Sequence, residues 1–484
     1  MNELSVGLDS YLTPGTNTGE SSQAELNELQ KALEAGSITG GASLDSATDS
    51  GAPLKVESLE GTLKVITWKE SDIQLWKKVP KLPAYNTVEE YPQLVSYGED
   101  GIGGFNAEGE LPQEADSVYI RRAQLVKFMG VTGSVTHPMQ LVTTMIGDVL
   151  QQEIKNKIQW LLKKADVALA YGDADIISQQ FNGFYKQHKE GVMGSTGTLA
   201  DYYASDNVVN MEGNILSEDG LEDASLGIIE NFGYADLLMA SPEVLSGFVK
   251  NFYDSKYITP NTPSLTDAVM GQRVKTFMSQ FGEVELSYDK FLKKSRPRAA
   301  SAAALTTVNP LAAPTVTGAA VTSTDYFYLA GDVNFCVAAV NRYGEGAMSA
   351  ALGGAVTVTL ADAVDLTVSQ VTNATGYIVY QTEVDGTILY PVLTISETER
   401  AAGYGGGAAG LIRVDGRILA KTEEAFLIEN SSQVWSFKQL APLMKMDLAV
   451  LAPAQRFMIL LYGTPQLYAP RKMCRIFNIG SATP

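Results

Sequence analysis

The chain has little of what many enzymes and secreted proteins depend on. Its 484 residues include only two cysteines, Cys336 and Cys474, and two histidines, His137 and His188. Two cysteines so far apart do not make a disulfide framework, so the sequence favours a reducing compartment. No cysteine or histidine cluster has the spacing of a zinc site. A serine-type catalytic triad would have to use one of the two histidines.

Positive charge is also scarce. The chain has 36 Lys and Arg residues against 55 Asp and Glu residues, which gives a net charge of −19. A chain this acidic repels nucleic acid, although simple solubility explains the same charge equally well. No run approaches the roughly 18 apolar residues of a spanning helix, and residues 1–15 lack the pattern of a signal peptide. We therefore expect a protein made in a cytoplasm, without a membrane partner.

The residues that suggest chemistry have simpler explanations. We expect His137 to lie at a helix start, where it has a capping role. We expect His188, between Lys186 and Lys189, to be exposed to solvent. Asp173 and Asp175 have a spacing that could hold a divalent cation, but a helix stop followed by a turn explains them better.

Two further motifs imitate binding sites. The glycine-rich segment 403–410 resembles a phosphate-binding loop, but no Lys-Ser or Lys-Thr follows it, so we predict a hairpin or interdomain loop. A small basic cluster suits a solvated turn better than a nucleic-acid contact; its members are Lys293, Lys294, Arg296 and Arg298. We predict no active site, no cofactor and no metal site, and hence a protein that is not an enzyme.

What the chain does have is a long arm followed by a long helix. Strand-like runs at 84–97 and 115–135 flank a glycine-rich tip at 98–109. Both faces of the second run mix polar and apolar residues, which favours an arm lying over neighbouring surfaces; an ordinary edge hairpin is the alternative. A helical pattern then runs from 138 to 171, about 50 Å long.

The helical pattern contains an apolar ladder in which each residue follows the last by four positions. Each step drifts by about 40° around the helix axis, so we predict a stripe that winds to the opposite side of the helix. Such a helix contacts one body at its start and another at its end. The ladder consists of Val142, Ile146, Leu150, Ile154, Ile158 and Leu162.

The rest of the chain divides by composition. Residues 1–60 are polar and contain one short helix, closed by Gly36, which we interpret as a docking arm or a flexible tail; Leu26, Leu29 and Leu33 form its apolar face. Residues 181–300 form a mixed α/β unit, in which we predict helices at 221–231 and 241–254 and strands at 235–240 and 284–287.

A low-complexity linker, 299–314, leads to a region of different character. Short, turn-separated β segments between 315 and about 420 predict a small all-β sandwich. Beyond it we predict a loop or short helix at 437–443 and strands at 456–462 and 471–479.

This order of parts resembles the major capsid protein of tailed bacteriophages, the Hong Kong 97 phage-type fold. Tyr85–Tyr91 is similar to the ascending strand of that family's extended loop, and Phe181–Phe184 to the segment after its spine helix. Leu440–Met446, together with Ala469–Lys472, resembles the end of major capsid proteins from large contractile-tailed phages. The strand Thr375–Gln381 is similar to the central strand of immunoglobulin-like and fibronectin-type modules.

The resemblance implies an α+β fold with an N-terminal arm, extended loop, spine helix, peripheral and axial domains, and an inserted immunoglobulin-like domain. The implied division is 1–75 for the arm with its short helix, 76–136 for the extended loop with flanking strands, 137–180 for the spine helix, 181–310 for the axial domain, 311–422 for the inserted domain, and 423–484 for the return to the axial and peripheral core.

The resemblance also implies a function in the virion capsid. Hexamers and pentamers would tile an icosahedral shell around double-stranded DNA without binding it specifically, and scaffolding, portal and decoration or cement proteins are possible partners. The inter-subunit contacts would come from Gly103, Phe105, Glu108, Arg121 and Arg122 on the extended loop and from Leu26, Leu29 and Leu33 on the arm.

Two details refine this picture. Residues 98–116 contain no lysine, so we predict no isopeptide crosslink of the kind that some relatives form from the extended loop. The alternative functions are a virion adhesion protein that binds host surfaces through the β module and a secreted hydrolase with an accessory β module. Repeated β modules or a fibre signature would favour the adhesion protein, and the sequence shows neither. A signal peptide with a catalytic pocket would favour the hydrolase, and the sequence shows neither of these.

Overall fold

The computed structural model of the protein describes residues 67–98, 104–111, 113–142, 148–194, 197–252, 274–322, 330–359, 362–449 and 452–480. The helices in these ranges are α1 (Leu75–Lys78), α2 (His137–Leu141), α3 (Val149–Tyr171), α4 (Phe184–Met193), α5 (Leu199–Tyr203), α6 (Glu218–Glu230), α7 (Pro242–Phe252) and α8 (Glu397–Ala402).

The strands within the same ranges are β1 (Lys81–Pro83), β2 (Val88–Ser96), β3 (Val118–Leu125), β4 (Lys127–Thr136), β5 (Val208–Asn210), β6 (Leu237–Ala240), β7 (Thr276–Ser279), β8 (Gly282–Tyr288), β9 (Val316–Thr322), β10 (Gly331–Val333), β11 (Phe335–Asn341), β12 (Gly344–Met348), β13 (Val356–Val358), β14 (Asp362–Val368), β15 (Gly376–Thr382), β16 (Leu389–Ser396), β17 (Leu411–Val414), β18 (Glu423–Ile428), β19 (Trp435–Asp447), β20 (Ala454–Leu467) and β21 (Met473–Ile479).

A six-stranded mixed sheet carries the α/β unit, in the order β5-β21-β18-β6-β8-β7. Strands β6, β18 and β21 are buried along their whole length, because helices and loops cover both faces. The predicted strands at 235–240 and 284–287 and the two predicted helices are confirmed. Helices α6 and α7 contribute to one apolar core over this sheet, with Leu221, Ala224, Ile228, Val244 and Phe248.

A second, four-stranded sheet has the order β1-β19-β20-β4. The predicted loop or short helix at 437–443 is wrong, because these residues belong to the long strand β19. Pro442 cannot donate a ladder hydrogen bond, and the register between β19 and β20 shifts between Ala441 and Met444, beside the proline. The proline suggested a break in secondary structure, and the strand accommodates it as a local irregularity.

The run 115–135 was predicted as one strand, and this is also wrong. It forms two strands in different sheets: β3 pairs with β2, and β4 pairs with β20. Val126 separates them; it is 4% exposed, and its N–H donates to the carbonyl of Thr87 over 2.8 Å. Burial of this one apolar residue in the core redirects the chain out of the hairpin and into the four-stranded sheet.

The long helix α3 begins later than predicted. It covers Val149–Tyr171, 23 residues, or about 35 Å. Asp148 caps it by accepting hydrogen bonds from the N–H groups of Leu150 and Gln151. Residues 138–141 belong to the separate short helix α2, and Ile146 lies outside the described residues. The apolar pattern of the sequence continued without a break from 138 to 171, so it did not indicate that Asp148 begins a new helix.

The prediction of a winding apolar stripe is wrong. Leu150, Ile154 and Ile158 pack against the same core cluster that contains the buried residues Leu161, Ala165 and Leu169. The step from Ile158 to Leu161 is three residues long. A step of three rotates the stripe in the direction opposite to a step of four, so it offsets the rotation accumulated by the earlier steps of four. Helix α3 therefore presents one straight face to one core, which it shares with the four-stranded sheet and α4.

The described residues between 316 and 414 form strands and α8. Two sheets, β12-β11-β15-β16 and β17-β14-β9, enclose their own apolar core. Strand β15 covers Gly376–Thr382, close to the expected strand Thr375–Gln381. The α+β class, the hairpin and the long helix agree with the predicted fold. The immunoglobulin-like character of this all-β unit and the domain boundaries stay predictions.

Candidate assembly surfaces

The hairpin β2–β3 is attached to the rest of the chain at its base. The rings of Tyr91 and Tyr468 pack edge to face with centroids 4.9 Å apart, and the Tyr91 hydroxyl donates to the carbonyl of Leu467 over 3.4 Å. Arg122 donates to the Gln93 amide oxygen over 2.8 Å, and the Gln93 amide nitrogen donates to the Tyr468 carbonyl. These contacts orient the hairpin relative to the core, and burial raises the pKa of Tyr91 to about 12.

The outer part of the hairpin exposes large apolar side chains. Phe105 is 100% exposed and Leu111 is 88% exposed. Large apolar side chains cost free energy when they are left in water, so exposed groups of this size mark a candidate contact surface. On the strands themselves, the exposed apolar residues are Val88 and Leu125 at the core end and Leu94, Val95, Val118, Tyr119 and Ile120 nearer the tip.

The predicted contact residues differ in their surroundings. Phe105 and Glu108 lie in the exposed tip. Arg121 forms an exposed ion pair with Glu90 on the facing strand, a kind of pair that contributes little to stability. Arg122 is half-buried and holds the hairpin base through Gln93. Gly103, Leu26, Leu29 and Leu33 lie outside the described residues.

The two histidines have different environments. His137 is the first residue of α2 and is exposed; the N-cap of that helix is Thr136. The prediction for His188 is wrong, since it is fully buried. Its Nε2 lies 2.9 Å from the Met473 carbonyl and its Nδ1 lies 3.1 Å from the Tyr202 hydroxyl. Burial lowers its pKa to about 3, so this neutral histidine supports the core.

The two aspartates that follow α3 form ion pairs with one lysine. Asp173 and Asp175 both form ion pairs with Lys186, which α4 carries. The lysine ammonium lies between the two carboxylates, at the place where a shared cation would bind, and offsets one of their two charges. Within the described ranges, no group of three or more His, Cys, Asp or Glu residues is arranged to hold a metal ion.

The remaining sequence motifs also have structural roles. The glycine-rich segment 403–410 turns the chain from α8 into β17, as the predicted loop requires. The solvated-turn explanation of the basic cluster is wrong for three members, which form ion pairs with carboxylates: Lys293 with Glu243, Lys294 with Glu424, and Arg298 with Glu345. No helix in the described part of the chain is long and apolar enough to cross a membrane.

The sequence did not indicate a buried charge cluster that lies in the six-stranded sheet. Arg475 on β21 is fully buried and forms an ion pair with Glu424 on β18, which also pairs with Lys294. The rings of Tyr185 and Phe477 lie 4.7 and 4.9 Å from the guanidinium. The sequence signal for this cluster was the presence of charged residues, Arg475 and Glu424, within the otherwise apolar runs of β21 and β18.

Comparisons with known proteins identify a family and several relatives. The family model described as SU10 major capsid protein matches residues 63–313, just over half of the chain. The chain is 25% identical to the major capsid protein of Staphylococcus phage S25-3, over 97% of this chain and 99% of that protein. It is 23% identical to the putative major capsid protein of Enterococcus phage phiEF24C, over 95% and 97% of the two chains.

Among solved structures, the capsid of the native GTA particle aligns with 91% of this chain and 100% of its own, with 9% identity and a TM-score of 0.45. The structure described as Mycobacterium phage Adephagia aligns with 92% of this chain and 100% of its own, with 9% identity and a TM-score of 0.44.

Proposed function

Because this chain belongs to the SU10 major capsid protein family, we propose that it builds the virion shell by self-assembly into hexamers and pentamers around double-stranded DNA. It acts as a structural subunit and not as an enzyme. Many modest interfaces, each repeated by symmetry, supply the stability of such a shell. The net charge of −19 suits a wall that must not trap the DNA it encloses.

The hairpin β2–β3 is the observation that carries the proposal. Its base is held by Tyr91, Gln93 and Arg122, while its outer part carries Phe105 and Leu111 in water. An arm that is oriented at one end and apolar at the other is suited to lie across an adjacent subunit. The resulting contacts are non-covalent, since the tip has no lysine for a crosslink.

The other parts have complementary roles in the proposed shell. The N-terminal helix that carries Leu26, Leu29 and Leu33 docks on a neighbouring subunit. The α/β unit of 181–310 serves as the axial domain, and the all-β unit of 311–422 projects outward as an immunoglobulin-like insertion. Assembly takes place in the host cytoplasm, with scaffolding, portal and decoration proteins as partners.

Two matched variants test the role of the hairpin. In the double variant Phe105→Ser, Leu111→Ser, we expect the full-length subunit to keep its thermal midpoint, because neither side chain touches the core, but to lose assembly into capsomers or shells in electron micrographs. The control is Ile388→Ser, which removes a 52% exposed apolar residue from the turn between β15 and β16.

The control variant should assemble like the unmodified protein. Normal shells from the hairpin double variant would contradict the proposed contact. Equal loss of assembly in the control would show that any exposed apolar residue matters, and that the hairpin has no special role.

A further inference from the structure

Two carboxylates lie next to each other in the core, beside the start of α1. Asp166 on α3 and Asp289, directly after β8, are both fully buried. Two ionised carboxylates in contact inside a protein repel each other strongly, and neither has solvent to screen its charge. Such a pair persists when one of the two carries a proton.

The backbone N–H groups are distributed unequally between the two side chains. Asp289 accepts from the N–H groups of Gln74 and Leu75 over 2.9 and 3.0 Å through Oδ2, and from Phe291 over 2.8 Å through Oδ1. Three N–H donors stabilise a carboxylate. Asp166 accepts only one, from Trp76 over 2.7 Å through Oδ1.

The second oxygen of Asp166 completes the picture. Its Oδ2 is buried and receives no hydrogen bond. A buried carboxylate oxygen without a donor costs free energy, whereas a protonated oxygen avoids this cost when it donates its own hydrogen bond. A proton on Oδ2 turns this atom into a donor toward the Asp289 carboxylate. The two side chains then hold three successive backbone N–H groups, those of residues 74, 75 and 76, against α3.

We propose that Asp166 carries a proton shared with Asp289, and that this proton fastens the start of α1 to the long helix, so that the attachment weakens as the pH rises. The inference does not depend on the assembly proposed above. It concerns how residues 74–76, at the start of α1, are anchored in each subunit.

The pH dependence has a definite sign. Burial, followed by the hydrogen bond and charge of Asp289, raises the pKa of Asp166 from 3.8 to about 9. The folded state therefore binds a proton that the unfolded state releases, and stability falls as the pH rises from about 4 to about 9. Lys77 on α1 opposes the rise. Further charged groups on the packed elements are Lys163 over the Phe291 ring, Lys164 on α3, Glu283 on β8, the ion pair of Lys290 with Asp72, and the ion pair of Lys78 with Glu285.

Two amide variants of the full-length protein test the proposal. Asp166→Asn reproduces the protonated form, because its oxygen accepts from Trp76 and its amide donates to Asp289. The variant should fold and lose the pH dependence. In urea unfolding between pH 5 and pH 8.5, the ratio of the folding constants of unmodified protein and variant should fall by about tenfold per pH unit.

Asp289→Asn is the contrasting variant, since it removes the charge that three N–H groups require, and should be less stable at every pH. A carboxylic-acid carbonyl band in the infrared spectrum at pH 7, absent from Asp166→Asn, would identify the proton directly. The proposal is overturned if the ratio is independent of pH, if the band is missing from the unmodified protein, or if Asp166→Asn does not fold.

Discussion

Replacing Glu424 by Gln should destabilise the subunit by about 3 kcal/mol at neutral pH. Burial alone would raise the pKa of this carboxyl, but the positive charges and hydrogen bonds of Arg475 and Lys294 lower it from 4.5 to about 2. At about 1.36 kcal/mol per pH unit, this difference corresponds to roughly 3 kcal/mol. Removal of one member of a buried ion pair costs about 3–5 kcal/mol, which agrees in size.

The sign of the pH dependence follows from the lowered pKa. The contribution of Glu424 is fully present above pH 4.5 and is lost as the pH falls toward 2. Urea unfolding of the unmodified protein and Glu424→Gln should therefore differ by a constant free energy from pH 5 to pH 7.5 and by a smaller one below pH 4.5.

The control for this comparison is Glu153→Gln, which breaks the half-exposed ion pair with Lys157 on α3. It should cost about 0.5 kcal/mol or less. A loss below 1 kcal/mol for Glu424→Gln at pH 7, or the same loss for both variants, would refute the reasoning that the buried cluster stabilises the six-stranded sheet.

Three further predictions concern the core and α3. Gly133→Ala on β4 would place its Cβ 2.5 Å from the Phe457 ring and should lower the free energy of unfolding in urea by about 1–3 kcal/mol. Gly104→Ala, whose Cβ would meet no atom within 4 Å, should change it little. Equal losses for the two variants would contradict the packing argument. Asp148→Ala should lower stability by about 1 kcal/mol in the same assay, and no change would mean that the cap is dispensable. Burial lowers the pKa of His188 to about 3, so stability should fall as the pH drops from 6.5 toward 3; a His188→Gln variant that keeps this slope would contradict the assignment.

Local patterns predicted the elements whose neighbours lie close in sequence. Strand β15 and helices α6 and α7 were found because apolar periodicity and turn residues bounded them. The break at Val126 and the continuation of β19 through Pro442 were missed, because distant strands decide them: β20 pairs with both β4 and β19.

The buried polar groups were missed for a related reason. His188 stands between two lysines in the sequence, which indicated exposure, but α4 turns it toward β21, where Met473 accepts its hydrogen bond. The partners of Arg475 and Asp166 are 51 and 123 residues away in the chain, so no local signal marks them. The hairpin was predicted to be an arm because both faces of its second strand mix polar and apolar residues, so neither face is suited to pack on a core.

Cryo-electron microscopy of particles formed by the full-length chain tests the central claim most directly. The account predicts closed shells or capsomers in which the hairpin of β2 and β3, residues 88–125, lies across the adjacent subunit and buries Phe105 there. A protein that stays monomeric under assembly conditions, or a shell in which each hairpin contacts only its own subunit, would contradict the account.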